Sequence, residues 1–292
     1  MKKVLFIVNP AAGIKKSALD ENVIRKTIQA SDYEVAFEFI YTKRPSHATE
    51  IVRGEKLNFD VIVAAGGDGT INEVGRELVG SSTSLGIIPG GSGNGLARSL
   101  GIPLSNEKAV ELILNGHSSK IDAISINGMY FFNMAGVGFD AYVAKLFHER
   151  KNRGLQGYIQ IVANKFMSYR GKKIEMVIEG KKFSERAFLM SFANTTQYGN
   201  NAHIAPNAKF DDGKIEICIV KDFPRWRTPE LIFKMFTKSL KESKYYQTHT
   251  VENASLLGKG EIWAHLDGEP ITFQNKMDLS IKSNAINVIN RY

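Results

Sequence analysis

The sequence predicts two domains: an α/β domain with a parallel sheet over residues 1–123, and a mostly antiparallel, sandwich-like β domain over residues 124–292. Three observations carry this. The 292 residues exceed what one hydrophobic core usually organises. Up to Leu114, short apolar runs alternate with helical stretches, the pattern of β-α-β units. After Ile121-Asp122, strand-like runs bounded by turn residues dominate.

Taken in order, residues 3–9 read as a strand, 18–30 as a helix, 35–41 as a strand and 48–54 as a helix. Residues 60–65 form a buried strand, because Val61-Ile62-Val63 is apolar without alternation. A helix follows from Ile71 to Leu78, then a strand at 85–88, a helix around 96–100 and a last helix at 109–114. This Rossmann-like alternation puts ligands at the C-terminal ends of the strands. Residues 9–13, Thr42, 66–70 and 89–92 all follow strands, so four loops converge on one rim.

In the second domain, Asn127-Gly128 signals a hairpin, since this pair suits the positive φ angles of a type I′ turn. Strands are expected at 174–179, 187–193, 215–220, 261–266 and 277–281. Helical stretches at 141–149, 159–167 and 229–240 interrupt them. The tail, about residues 283–292, is expected to pack back on one of the domains.

The stretch richest in chemistry is Ala64-Ala65-Gly66-Gly67-Asp68-Gly69-Thr70-Ile71-Asn72-Glu73-Val74. Glycines around one carboxylate let backbone N–H groups approach an anion with no Cβ in the way. The helix that follows points its N-terminus at the same place. A carboxylate beside phosphates makes sense when a divalent cation joins them or a hydroxyl proton must be taken. Gly66, Gly67, Asp68, Gly69 and Thr70 are therefore candidate phosphate-site residues.

This string resembles the signature of the diacylglycerol kinase catalytic-domain family, which includes sphingosine and ceramide kinases. More distantly it resembles NAD kinases and phosphofructokinases. Further segments make the resemblance specific. Asn9-Pro10-Ala11-Ala12-Gly13 resembles the family's N-P-x-x-G, and Thr42-Lys43-Arg44-Pro45-Ser46-His47-Ala48 its T-x-x-x-x-[HD]-A. Pro89-Gly90-Gly91-Ser92-Gly93-Asn94-Gly95-Leu96-Ala97 resembles its P-x-G-[ST]-x-N-x-x-A, and Asp267-Gly268-Glu269 its D-G-E. Order and spacing agree over nearly the whole chain.

The resemblance implies an NAD kinase/diacylglycerol kinase-like fold and an ATP- and Mg²⁺-dependent lipid kinase. The γ-phosphoryl would pass to a lipid hydroxyl, diacylglycerol first among the acceptors, giving phosphatidic acid. Gly66, Gly67, Asp68, Gly69, Thr70, Asn72, Glu73 and Ser92 would cradle the phosphates, with Asn9, Pro10, Gly13 and Thr42 lining the nucleotide. The family's proton acceptor lies in the D-G-E segment, hence Glu269 or Asp267, although Asp-Gly is also a common hairpin connection. The family's structural cation would fall on Asp212 with the backbone carbonyls of Lys209 and Lys214, in a turn that also reads as an ordinary Asx-turn. One carboxylate plus carbonyls suits Mg²⁺ or Ca²⁺ and not zinc. Asp68 and Asp122 are further candidates around the catalytic metal. Gly95 stands where bacterial diacylglycerol kinases often carry Asp, which keeps sphingoid bases and ceramide open as acceptors. An NAD kinase-like enzyme and a non-catalytic nucleotide-regulated binding protein remain alternatives.

Composition bounds the setting. No apolar run reaches the ~18 residues of a spanning helix, and the single Cys218 excludes an internal disulfide. Residues 1–123 hold 14 Lys and Arg against 14 Asp and Glu, so the remaining 24 and 16 place the whole +8 in residues 124–292. The cations concentrate in residues 145–173 and 221–244, the latter with Arg225, Arg227, Lys234 and Lys238. A solvated basic face is the plain reading; reversible docking on an anionic membrane from the cytoplasm is the sharper one. No recognition motif for nucleic acid accompanies the charge, and a homodimer is left open.

Overall fold

The computed structural model describes residues 2–12, 21–149 and 155–292. They fall into two compact units, Met1–Ile121 with Asn284–Tyr292, and Asp122–Ser283.

The first unit alternates β1 (Lys2–Val8), α1 (Glu21–Gln29), β2 (Val35–Tyr41), α2 (His47–Glu55), β3 (Val61–Gly66), α3 (Asp68–Leu78), β4 (Ser84–Pro89), α4 (Gly95–Ser99) and α5 (Asn106–Asn115). Its strands lie parallel in the order β2-β1-β3-β4, with Phe6 opposite both Phe39 and Val63, and Ala64 opposite Ile87. The C-terminal residues extend this sheet, Val288 lying parallel to Leu85. Alternate side chains of each strand serve opposite faces. Val4, Phe6 and Val8 pack with Ile24 and Ile28 of α1 and Val110 and Ile113 of α5. Leu5, Ile7, Ile62 and Leu85 are fully buried on the other face. Each contributes about 1.5–3 kcal/mol, and burial on both faces explains why β1 and β3 carry continuous apolar runs.

The second unit begins in the middle of β5 (His117–Ile126). It continues through β6 (Met129–Phe131), β7 (Met134–Gly138), α6 (Phe139–His148), α7 (Leu155–Phe166), β8 (Lys172–Ile178), β9 (Lys181–Ala193), β10 (Ile215–Lys221), α8 (Thr228–Phe236), β11 (Tyr246–Val251), β12 (Asn253–Leu266) and β13 (Glu269–Asn290). Its strands pair antiparallel in the order β11-β10-β9-β7-β12-β13, with β8 paired to both β9 and β12. Two hairpins close on the same turn chemistry. Asn127-Gly128 has φ of 50° and 84°, and Asp267-Gly268 has 48° and 90°, the positive pair that a type I′ turn requires.

Several elements differ from the sequence expectation. The helix expected from Ile71 already begins at Asp68, so the acid of the glycine string is its first helical residue. The strand expected at 277–281 is part of the 22-residue β13, whose polar side chains alternate outward. β7 and β11 were not expected; β7 is glycine-rich, and Gly136 is needed there because a Cβ would stand 2.1 Å from Asp140 Oδ2. The helix expected to reach Leu240 stops at Phe236, and Lys238 adopts a left-handed φ of 59° that no helix continues through. The start of the helix expected from residue 18 lies outside the described residues.

Candidate active site

In the first unit, two glycine loops meet backbone to backbone. The Gly90 amide donates to the Gly66 carbonyl at 2.7 Å. A Cβ on Gly91 would stand 2.9 Å from the Cα of Gly67 and 3.0 Å from Asn94 Oδ1. Gly66 faces a second constraint, since its Cβ would meet Thr70 Oγ1 at 2.7 Å. Only glycines allow this approach.

Asp68 joins the two loops. Its Oδ2 accepts from the Asn94 amide and its Oδ1 from the Gly95 amide, both at 3.0 Å. Asn94, at φ 50°, closes its own loop by accepting from the Gly91 amide and donating to the Gly91 carbonyl, each at 2.9 Å. The amides of the first turn of α3, including those of Gly69 and Thr70, have no carbonyl within the helix to bond, and the helix dipole favours an anion there. Each carboxylate oxygen of Asp68 accepts one of the Asn94 and Gly95 amides, which fixes the carboxylate beside the first turn of α3.

Other residues singled out from the sequence surround this junction. Asn9 Nδ2 donates to Thr70 Oγ1 at 2.9 Å, while Asn9 Oδ1 accepts from the Ala11 amide and so shapes the turn that contains Pro10. Thr42, just after β2, donates its amide to Val8 at the same end of the sheet. Ser92 is exposed at the tip of the loop after β4, and Asn72 is buried on α3. Glu73 turns to the Ser46 amide at 3.0 Å, tying the segment before α2 to α3. Gly13 lies outside the described residues.

In the second unit, the Asp-Gly-Glu turn separates its two acids. The Asp267 carboxylate accepts from three consecutive amides, Phe132 at 3.0 Å, Asn133 at 2.9 Å and Met134 at 3.0 Å, and the Asp267 amide donates back to the Met134 carbonyl. Such a carboxylate is a bracket for the chain before β7. Glu269 is solvent-facing, with His148 Nδ1 of α6 at 3.5 Å.

Beneath this turn lies a polar cluster that sequence reasoning missed. Asp140 Oδ2 accepts from Tyr198 at 3.0 Å and from Ser191 at 3.3 Å, and faces His265 Nε2 at 3.3 Å; Asp140, Ser191 and His265 are buried and Tyr198 is half-buried. His265 Nδ1 accepts from the Gly268 amide at 3.4 Å, which connects the cluster to the turn. The partners of Asp140 lie 51 to 125 positions from it, and only the position of His265 two residues before Asp267 hinted at the cluster.

Asp122 and Asp212 share a third place. Asp122 Oδ2 accepts from the Gly213 amide at 2.6 Å, and its own amide donates to Phe210. Asp212 Oδ1 accepts from the Lys214 amide at 3.0 Å, an Asx-turn. The Lys214 ammonium is held at 2.5 Å by Glu252, which raises its pKa. Asp122 thus pins the loop that carries Lys209, Asp212 and Lys214. Among the described residues, no three His, Cys, Asp or Glu side chains are grouped to hold a metal, and no helix is long and apolar enough to cross a membrane.

These arrangements can be set beside known proteins. Residues 3–126 match the diacylglycerol kinase catalytic domain, and residues 133–290 match the YegS C-terminal NAD kinase beta sandwich-like domain. A diacylglycerol kinase of Bacillus subtilis strain 168 is 34% identical over 232 residues, covering 76% of this chain and 74% of its own. One from Staphylococcus aureus strain Newman is 30% identical over 227 residues, covering 75% and 71%. Among solved structures, a diacylglycerol kinase from Bacillus anthracis strain Sterne superposes with a TM-score of 0.73 at 22% identity, covering 99% of this chain and 97% of its own. An NAD kinase from Archaeoglobus fulgidus in complex with ATP gives 0.52 at 14% identity, covering 98% and 93%. The fold is therefore the one shared by diacylglycerol kinases and NAD kinases. With both domains matched in order and a 34% identical relative over three quarters of the chain, the protein belongs to the diacylglycerol kinase catalytic-domain family of lipid kinases.

Proposed function

We propose that this chain transfers the γ-phosphoryl group of ATP to a lipid hydroxyl, with diacylglycerol as acceptor and Mg²⁺ accompanying the nucleotide. The observation that carries the reading is the double glycine loop bridged by Asp68, beside the first-turn amides of α3. Backbone N–H groups held this rigidly suit an anion whose charge must be stabilised with little rearrangement. In this reading Gly66, Gly67, Gly69, Thr70 and Ser92 receive the phosphates. Asn9 and Thr42 border the nucleotide, and Asn72 and Glu73 support the rim from α3.

Glu269 takes the proton of the acceptor hydroxyl, since its carboxylate is solvent-facing while Asp267 is occupied by three amides. Asp267 holds the turn in place. Oxygen donors such as Asp68 fit a hard divalent cation, and bound Mg²⁺ would neutralise charge on the phosphates. A second hard cation fits the turn of Asp212 with the carbonyls of Lys209 and Lys214, braced by Asp122. The acceptor is met at an anionic membrane surface, on which the protein docks reversibly.

Labelled ATP with a panel of diacylglycerol, sphingosine, ceramide and NAD tests this. The expected outcome is Mg²⁺-dependent labelling of diacylglycerol and none of NAD; labelling of NAD alone would overturn the reading. Gly95 favours a second reading with a sphingoid base or ceramide as acceptor, and the same panel decides it.

A further inference from the structure

Twelve large hydrophobic side chains are exposed among the described residues, and four of them fall between Trp226 and Phe236. Trp226, Phe233 and Phe236 are 71%, 67% and 52% exposed. The opposite side of α8 is already used, because Leu231 and Met235 pack into the core with Ile161, Phe188 and Phe223. α8 is therefore apolar on two sides, and among the described residues its outer aromatic side packs into no core.

The charges around it are sorted. Arg225 is withdrawn: its side chain is 10% exposed, and its guanidinium bonds the Phe223 and Tyr169 carbonyls and Asp222 while lying over Phe166, Phe188 and Phe223. That packing ties the segment after α7 to the turn before α8. Arg227 and Lys234 are both drawn to Glu230, which neutralises the one acid of the helix. Lys238, Lys241 and Lys244 remain exposed beyond the end of α8.

We propose that Trp226, Phe233 and Phe236 form a wedge that enters the headgroup region of an anionic bilayer, and that Lys238 and Lys241 hold it there. Aromatic rings rimmed by cations match the interface between acyl chains and anionic headgroups. A second copy is the poorer occupant, because a two-fold contact would bring both lysine sets together. The inference rests on the reading that the acceptor is a lipid and assigns the element that docks.

The test uses the full chain with vesicles of phosphatidylcholine alone and with phosphatidylglycerol. Trp263→Phe leaves Trp226 as the only tryptophan. Its emission is expected to shift to the blue on phosphatidylglycerol vesicles. Trp226→Ser combined with Phe233→Ser and Phe236→Ser is expected to weaken co-sedimentation by about 10²-fold, since each ring loses a burial worth a sizeable part of full transfer. Lys238→Gln with Lys241→Gln is expected to weaken it about 10-fold or more at low salt, and thermal unfolding should confirm that both variants are folded. Phosphorylation of a short-chain diacylglycerol dissolved as monomers should stay within about twofold for both.

Unchanged emission, or vesicle binding by the triple variant equal to the parent, overturns the proposal. So does concentration-dependent self-association that the triple variant abolishes without any vesicle binding by the parent. Vesicle binding that depends on the wedge in a protein that phosphorylates no lipid upholds the docking surface and overturns the lipid-kinase reading instead.

Discussion

Gly67 and Gly91 approach so closely that a single methyl group cannot be placed between them: a Cβ on Gly91 would stand 2.9 Å from the Cα of Gly67. The neighbouring atom is backbone and cannot swing aside. Gly91→Ala is expected to destabilise by about 1–3 kcal/mol through overpacking and to lower kcat/KM steeply by spreading the two loops. Gly54→Ala, with nothing within 4 Å of its Cβ, is the control that should cost little. Equal activity of Gly91→Ala and the parent would remove the loop contact from the phosphate site.

Asp68→Asn keeps one carbonyl oxygen for two amides. It is expected to cost about 1–3 kcal/mol of stability, as a lost hydrogen bond to a charged group does, and to slow phosphoryl transfer by ~10³-fold or more. Denaturant unfolding and steady-state kinetics at saturating Mg²⁺ and ATP measure the two separately. Turnover within tenfold of the parent would take Asp68 out of the reaction.

The two acids of the β12–β13 turn should separate cleanly. Asp267→Ala leaves the Phe132, Asn133 and Met134 amides without their acceptor and is expected to lower stability by several kcal/mol. Glu269→Gln should leave the melting temperature within a degree or two and ATP affinity nearly unchanged, while transfer falls by ~10²–10⁴-fold, the usual weight of general-base catalysis. A large loss of ATP binding in Glu269→Gln would assign this turn to the nucleotide.

His203 supplies a pH signature. Its ring is buried against Thr196, and burial, with a smaller push from Lys238, lowers its pKa from the ordinary 6.5. The unfolded chain takes up the proton near 6.5 and the folded chain only below it. The stability that His203 contributes is therefore full above pH 6.5 and is lost as pH falls toward the lowered value. Melting temperatures recorded from pH 7.5 to 5 should drop more in the parent than in His203→Gln. Parallel curves would mean that the ring is protonated at no cost.

The residues of the first unit were legible because each strand ends in a loop whose glycines and acids stand next to one another in sequence. Asn9, Thr42, Gly66 to Thr70 and Pro89 to Ser92 needed only the β-α-β pattern to be placed after strands of the first unit. The strand Val35–Tyr41 was readable to the residue from its apolar composition. What was not legible depends on contacts between distant positions. β7 is a strand because its backbone pairs with β9 and β12, not because Met134 to Gly138 favour one. Asp140 and His265 meet 125 residues apart, and neither carries a motif. The burial of Arg225 was hidden as well, because a cation between Pro and Trp looks like surface until Phe166, Phe188 and Phe223 enclose it.

The pairing of Val288 with Leu85 has a consequence for biosynthesis. A ribosome delivers β1 to β4 long before residues 284–292, so the outer edge of β4 waits through the synthesis of the entire second unit for its last neighbour. The Gly80 amide and Ser119 wait equally for Ala285 and Asn290. Until residues 284–292 emerge, the nascent first unit carries an open strand edge of the kind that pairs with other chains. Nascent chains arrested before residue 284 should therefore be cut by protease around β4, and emergence of residues 284–292 should protect it.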